Sequence, residues 1–195
     1  AGKYSGVDAL PQVLEAGVDR LAENRLQELQ AKAAAAAGAL SFDFIGHLQR
    51  RKVKAVLPLV RLIHSVDSPR LAAEIASRAE GGARVLVEVN IAREASKGGI
   101  SPDDMDAFID TVSELPDLRV GGLMVMPPAT DEPDDSRRWF GEARELAARL
   151  ADGSDSRHDF EDLSMGTSQD FLVAAEEGAT IVRVGRGLIE PARVG

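Results

Sequence analysis

The 195-residue chain contains no cysteine, which excludes disulfides, zinc–thiolate and iron–sulfur sites, and a thiol nucleophile. It has only three histidines, His47, His64 and His158, set far apart and without an HExxH pair, so no metal is expected. Positive charge is in the minority: 23 Lys and Arg face 32 Asp and Glu, a net charge of -9. That balance argues against a nucleic-acid or anionic-membrane partner. No apolar run approaches the roughly 20 residues that span a bilayer, and no basic-then-apolar leader opens the chain, so a soluble cytoplasmic protein is expected. There is no GxGxxG after the first strand and no GxxxxGK[ST] anywhere, so neither dinucleotide nor P-loop phosphate binding is signalled. Nor is there an initiator Met. The chain opens abruptly on Ala1-Gly2-Lys3, and a preceding segment is expected.

What is present suits one large core. The chain is 44% hydrophobic, and no linker divides it, so residues 1–195 are read as a single domain. Short apolar runs at 20–22, 43–45, 62–65, 85–91, 120–126, 160–163 and 180–184 alternate with helical periodicity at 7–16, 25–37, 50–57, 69–80, 102–115, 135–151 and 169–177. Such alternation is the pattern of βα units on a parallel sheet. Asp67-Ser68-Pro69 and Ser101-Pro102-Asp103-Asp104 place a cap before a first-turn proline, and Gly17, Gly38 and Gly178 end helical runs. Seven strands, with Ala1-Gly2-Lys3 as the tail of an eighth, predict an α/β fold of the (β/α)8 TIM-barrel type, with a doubly wound open sheet as the alternative.

In such a barrel the strand ends build the site. Here they carry Lys3, then Glu23-Asn24-Arg25, Gly46-His47, Ser65-Val66-Asp67, Asn90, Met126-Pro127, Ser164-Met165-Gly166-Thr167-Ser168 and Arg183-Val184-Gly185-Arg186. The 164–168 segment and Gly185-Arg186-Gly187 can present N–H groups to a phosphate where barrels of this type bind one, although Ser and Gly there equally cap a helix and turn the chain. Of the five lysines, Lys32, Lys52 and Lys54 are read as solvated helix charges and Lys97 as a surface turn or an anion contact, while Lys3 has too little chain before it to judge. His47 is read as a ligand contact or a loop residue, His64 as a satisfied interior residue and His158 as solvated in an acidic loop. Met124-Val125-Met126 reads as barrel core.

Eight segments, in order along the chain, together resemble the pyridoxal phosphate homeostasis proteins. They are Ala22-Glu23-Asn24-Arg25-Leu26-Gln27-Glu28, Phe44-Ile45-Gly46-His47-Leu48-Gln49-Arg50-Arg51-Lys52, Ile63-His64-Ser65-Val66-Asp67-Ser68, Val87-Glu88-Val89-Asn90-Ile91, Ser96-Lys97-Gly98-Gly99, Gly122-Leu123-Met124-Val125-Met126-Pro127, Leu163-Ser164-Met165-Gly166-Thr167-Ser168-Gln169-Asp170 and Val182-Arg183-Val184-Gly185. The resemblance implies a fold-type III barrel like the N-terminal domain of alanine racemase, in which Lys3 at the end of the first strand holds pyridoxal 5'-phosphate (PLP) as a Schiff base. It implies a protein that buffers or delivers the cofactor in vitamin B6 homeostasis rather than turning substrates over. An amino-acid racemase is the alternative enzyme, and an interaction scaffold the third reading. The implied cofactor contacts are Lys3, Asn24, His47, Ser65, Asn90, Met124, Ser164, Met165, Gly166, Ser168, Arg183, Gly185 and Arg186, with Arg183 at the pyridine nitrogen and the phosphate on Ser164, Gly166, Ser168 and the backbone near Gly185. PLP-requiring apoenzymes are the implied protein partners, and a monomer is expected, with a dimer as the alternative. Tyr4, next to Lys3 on an extended strand, would face the wrong way to act as a second base. The segment after Gly185 departs from the family pattern, with Arg186-Gly187-Leu188 in place of a small residue and a later Phe-Gly pair.

Overall fold

A computed structural model describes residues 1–153 and 157–185, apart from the side chain of Tyr4. Seven strands, β1 (Arg20–Glu23), β2 (Ser41–Phe44), β3 (Leu62–Val66), β4 (Ala83–Val89), β5 (Leu118–Val125), β6 (Asp162–Thr167) and β7 (Ile181–Arg183), pair in sequence order as one sheet. All six pairings are parallel. Between and before them run the helices α1 (Leu10–Glu15), α2 (Leu26–Ala36), α3 (Val53–Val56), α4 (Pro69–Ala76), α5 (Met105–Ser113), α6 (Arg137–Gly153) and α7 (Phe171–Glu176). A doubly wound sheet reverses its strand order at a switch point; this one does not. Instead it curls until its two edge strands share a cavity of about 230 Å³, lined by Arg20 and Ala22 of β1, Asp43 of β2, His64 of β3 and Ile181, Val182 and Arg183 of β7. The architecture is a nearly closed barrel.

Strand periodicity of two sorts the side chains between two faces. Ile63, Val85, Val87, Leu123, Val125, Leu163 and Met165 turn outward into the main core with Leu71, Ile75, Phe108, Val112, Phe140 and Leu146 of the helices. Leu62, Leu86 and Met124, with Ile181 against them, form a separate apolar layer inside the barrel. The interior is therefore packed at its base, as barrels of this size require.

The capping chemistry is as the sequence predicts. Ser68 accepts from the Leu71 amide, Ser101 from that of Asp103, and a proline follows each cap. Gly17, Gly38 and Gly178 have positive φ.

Several expectations are corrected. The sixth strand starts at Asp162, because Phe160 adopts a left-handed φ of 49° that no strand continues through, and it runs on to Thr167. Much of the predicted 164–168 loop is thus strand. Gly2–Tyr4 forms a 3-10 turn rather than the end of a strand, which removes the premise that Lys3 and Tyr4 point to opposite faces. His158 is buried, with Nδ1 accepting from the Val120 amide, and Asp159 pairs with Arg84 and Arg119. His158 and Asp159 are therefore anchored rather than solvated. Met126 is 56% exposed and lies outside the core that holds Met124 and Val125.

Candidate functional site

The ends of β1, β2 and β3 are joined by backbone contact. A side-chain carbon at Gly46 would lie 2.2 Å from the Asn24 carbonyl oxygen and 2.7 Å from its Cα, so the chain can cross there only as glycine. The fully buried Ser65 donates its hydroxyl to the Gly46 carbonyl, fixing that crossing from the other side. Ser65 thereby shapes the mouth. Asn24 is half-buried beside it. His47 stands on the exposed rim, with Nδ1 3.2 Å from Asp67 Oδ2.

At β4 the Asn90 side chain donates to the Glu94 carbonyl at 2.8 Å and accepts from the Glu94 amide at 3.0 Å. It clamps the turn that carries Arg93 at a φ of 55°. Lys97 pairs with Glu94 at 2.6 Å. Glu88, half-buried on the same strand, was not singled out in the sequence, since a lone glutamate in an apolar strand resembles a solvent-facing alternation. Burial, and next the nearby Asp67 charge, push its carboxyl above the usual range, against the opposing pull of His47 and Arg183.

The ends of β6 and β7 hold the densest chemistry. Arg183 is buried. Its Nη1 donates to the Ser164 carbonyl at 2.7 Å and hydroxyl at 2.8 Å, and its Nη2 to the Val125 carbonyl at 2.9 Å. Burial draws the guanidinium pKa down to about 10, which leaves it charged at neutral pH. Ser164 Oγ also lies 2.9 Å from His64 Nδ1, so the buried Ser164 is a member of an interior hydrogen-bond network. Met165 faces outward into the helix layer and can offer only its backbone. Met124 belongs to the interior apolar layer under the site.

Gly166, Ser168 and Gly185 do come together. Gly166 has a φ of 86°, and a Cβ there would sit 2.5 Å from Ala174 Cβ. The Gly185 amide donates to Ser168 Oγ at 3.1 Å, and Thr167 is tied by its amide and hydroxyl to Asp170 at the start of α7. Arg186 lies outside the described residues.

Lys3 is exposed, on the turn that fills the gap between the sheet edges. The Ala1 nitrogen donates to the Val184 carbonyl, and Lys32 Nζ donates to the Gly2 carbonyl at 2.8 Å while pairing with Glu23. Lys32, expected as a solvated charge, is 1% exposed. The signal was present: Leu29, Lys32 and Ala36 share one helical face. Glu23 Oε2 and Asp43 Oδ1 are buried without a hydrogen-bond partner among the described residues. Among the described residues no cluster of His, Asp and Glu could hold a metal, and no helix is long and apolar enough to cross a membrane.

Residues 2–190 match the family model described as alanine racemase, N-terminal domain. The pyridoxal phosphate homeostasis protein of Aquifex aeolicus is 40% identical over 189 residues, covering 95% of this chain and 82% of the relative. That of Pseudomonas aeruginosa is 36% identical, covering 92% and 77%. Among solved structures, PipY of Synechococcus elongatus with PLP bound superposes with a TM-score of 0.88 at 30% identity, covering 97% of this chain and 90% of that one. Alanine racemase from Corynebacterium glutamicum, at 15% identity, a TM-score of 0.74 and coverage of 97% and 53%, shares the fold.

Proposed function

The chain belongs to the pyridoxal phosphate homeostasis proteins, a family built on the alanine racemase N-terminal domain, and from that premise we propose that it binds PLP at the barrel mouth and buffers or delivers it without appreciable turnover. The observation that carries the reading is the buried Arg183, held by Ser164 and Val125 beside the Gly166, Ser168 and Gly185 cluster. This donor set fits the cofactor. A ring nitrogen is an acceptor and a guanidinium offers only donors, while a phosphate ester takes N–H and O–H donors of the kind gathered at 166–168 and 185.

When bound, PLP supplies an electrophilic aldehyde and an electron-withdrawing ring. Lys3 offers the amine, and its turn is held by the Lys32 bond to the Gly2 carbonyl. Arg183 presents hydrogen-bond donors to the ring position and cannot accept a proton from it, which disfavours the protonated ring that carbanion chemistry uses. Met124, Leu62 and Leu86 exclude water from below. Asn24 and the rim pair His47–Asp67 bound the opposite side of the mouth. The partners consistent with a carrier are PLP-requiring apoenzymes.

Absorbance titration with PLP should show saturable uptake at one site. The same sample, freed of contaminating racemase, should racemise alanine far below the ordinary enzyme range of roughly 1–1,000 per second. Turnover within that range would make the protein an enzyme, and failure to take up PLP would remove the reading altogether.

A further inference from the structure

A continuous line of polar contacts runs from the exposed Arg61 into the barrel interior beneath the mouth. Arg61 Nη2 donates to Asp43 Oδ2 at 2.9 Å, the same oxygen lies 3.4 Å from His64 Nε2, His64 Nδ1 lies 2.9 Å from Ser164 Oγ, and Arg183 Nη1 donates to that oxygen at 2.8 Å. Asp43, His64, Ser164 and Arg183 are each less than a tenth exposed.

The chemistry of the members fixes the direction of every bond. A carboxylate only accepts, so the His64 proton facing Asp43 sits on Nε2. A neutral imidazole then has Nδ1 as an acceptor, and the Ser164 hydroxyl must donate its single proton there. Arg183 can only donate, and it meets the lone pairs that this arrangement turns towards it. Burial holds the His64 pKa below the usual histidine value despite Asp43, and Arg183 and Arg61 add to the lowering. Burial alone would raise the Asp43 carboxyl, but the hydrogen bond from His64, and then the Arg61 guanidinium, bring it below its ordinary value. The ionised acid and neutral ring that the directions require are therefore the favoured forms. These are also the charged groups that face the ring from β2, β7 and the segment before β3.

We propose that His64 is a positioning residue for Arg183: by taking the Ser164 proton at Nδ1 it aims the Ser164 lone pairs at the guanidinium and fixes the direction in which Arg183 presents its donors to the mouth. The inference rests on the proposed PLP reading for its consequence, while the direction of the bonds stands without it. Removing the ring leaves the Ser164 proton without its acceptor and the hydroxyl free to rotate, so its lone pairs are no longer aimed at Arg183; removing the hydroxyl leaves Arg183 only its two carbonyl partners. An Asn at 64 can still accept from the hydroxyl through its side-chain oxygen, whereas a Phe cannot.

Nitrogen NMR of the histidine rings in the PLP-free protein reads the first half directly. His64 should carry its proton on Nε2 and stay neutral as the pH falls below the ordinary histidine range. A proton on Nδ1 in the neutral ring, or titration at the ordinary value, would overturn the proposal without any variant having to fold. Guanidinium proton exchange of Arg183 and PLP affinity read the second half. His64→Phe and Ser164→Ala should each speed the exchange and weaken PLP by about tenfold, the loss expected for one charge-assisted hydrogen bond. The two changes together should cost no more than one, and His64→Asn should recover most of the affinity. Independent, additive effects of the two substitutions would contradict it. If the unmodified chain took up no PLP, the cofactor reading would fall, and ring tautomer and Arg183 exchange would still decide this one.

Discussion

The side chain that most depends on its surroundings is Lys32. It is enclosed with Glu23 and bonded to the Gly2 carbonyl, one residue from Lys3. Breaking a buried ion pair from one side leaves a charge without compensation, whereas replacing both partners with apolar groups removes the desolvation cost as well. Lys32→Met should therefore lower unfolding stability by about 3–5 kcal/mol in denaturant titrations, and Lys32→Met with Glu23→Leu should recover much of that loss. Equal losses in the single and double variants would show that Glu23 has another partner. The pair was legible only in part. The i, i+3, i+7 spacing of Leu29, Lys32 and Ala36 marks the buried face, but lysine at such a position usually extends its amine to solvent. The acid that draws it inward lies on another element, nine residues away, and no local pattern announces it. His158 was missed for the same reason, since its partners are the Val120 amide on β5 and Ser113 at the end of α5.

At the level of elements, the junction of β6 and α7 sets the shape of the expected phosphate cradle. Gly166 combines a φ of 86° with a would-be Cβ 2.5 Å from Ala174 Cβ and 3.0 Å from Phe171 Cα. Gly166→Ala would have to strain the backbone and push α7 away together. The expected cost is about 1–3 kcal/mol of stability, seen as a lower denaturation midpoint, along with weaker PLP uptake. A variant of unchanged midpoint and affinity would mean that α7 moves freely. Alternation of apolar runs and helical periodicity located all seven strands and their helices, because each unit folds on its own hydrophobic face and its own caps. Boundaries were less legible. Nothing in Phe160-Glu161-Asp162 reports that Phe160 takes a left-handed conformation, so the strand appeared to start early and to release Ser164 into a loop. With the strand correctly placed, period two turns Ser164 inward to Arg183 and Met165 outward to the helices. That one shift sets which way both side chains face.

For the whole molecule, the barrel converts sequence-distant polar residues into one enclosed set. Strand order follows chain order, so His64 of β3 and Ser164 of β6, a hundred residues apart, meet only because the sheet curls round on itself. The count and order of strands pointed to such a barrel, but no feature of either segment alone encodes their contact. The resemblance supplied Arg183, Gly166, Ser168 and Gly185 as members of one site; in the structure Arg183 bonds Ser164, and the Gly185 amide donates to Ser168. Asn90 and Ser65 hold the loops around it. The proposed carrier role requires that PLP be held at this mouth with Lys3 as its covalent anchor. Borohydride reduction of the PLP-loaded protein followed by peptide mapping tests that claim most directly. The pyridoxyl group should be found on Lys3, with Lys32 unlabelled in its buried ion pair; recovery of the label on Lys97 or Lys52 would contradict the account.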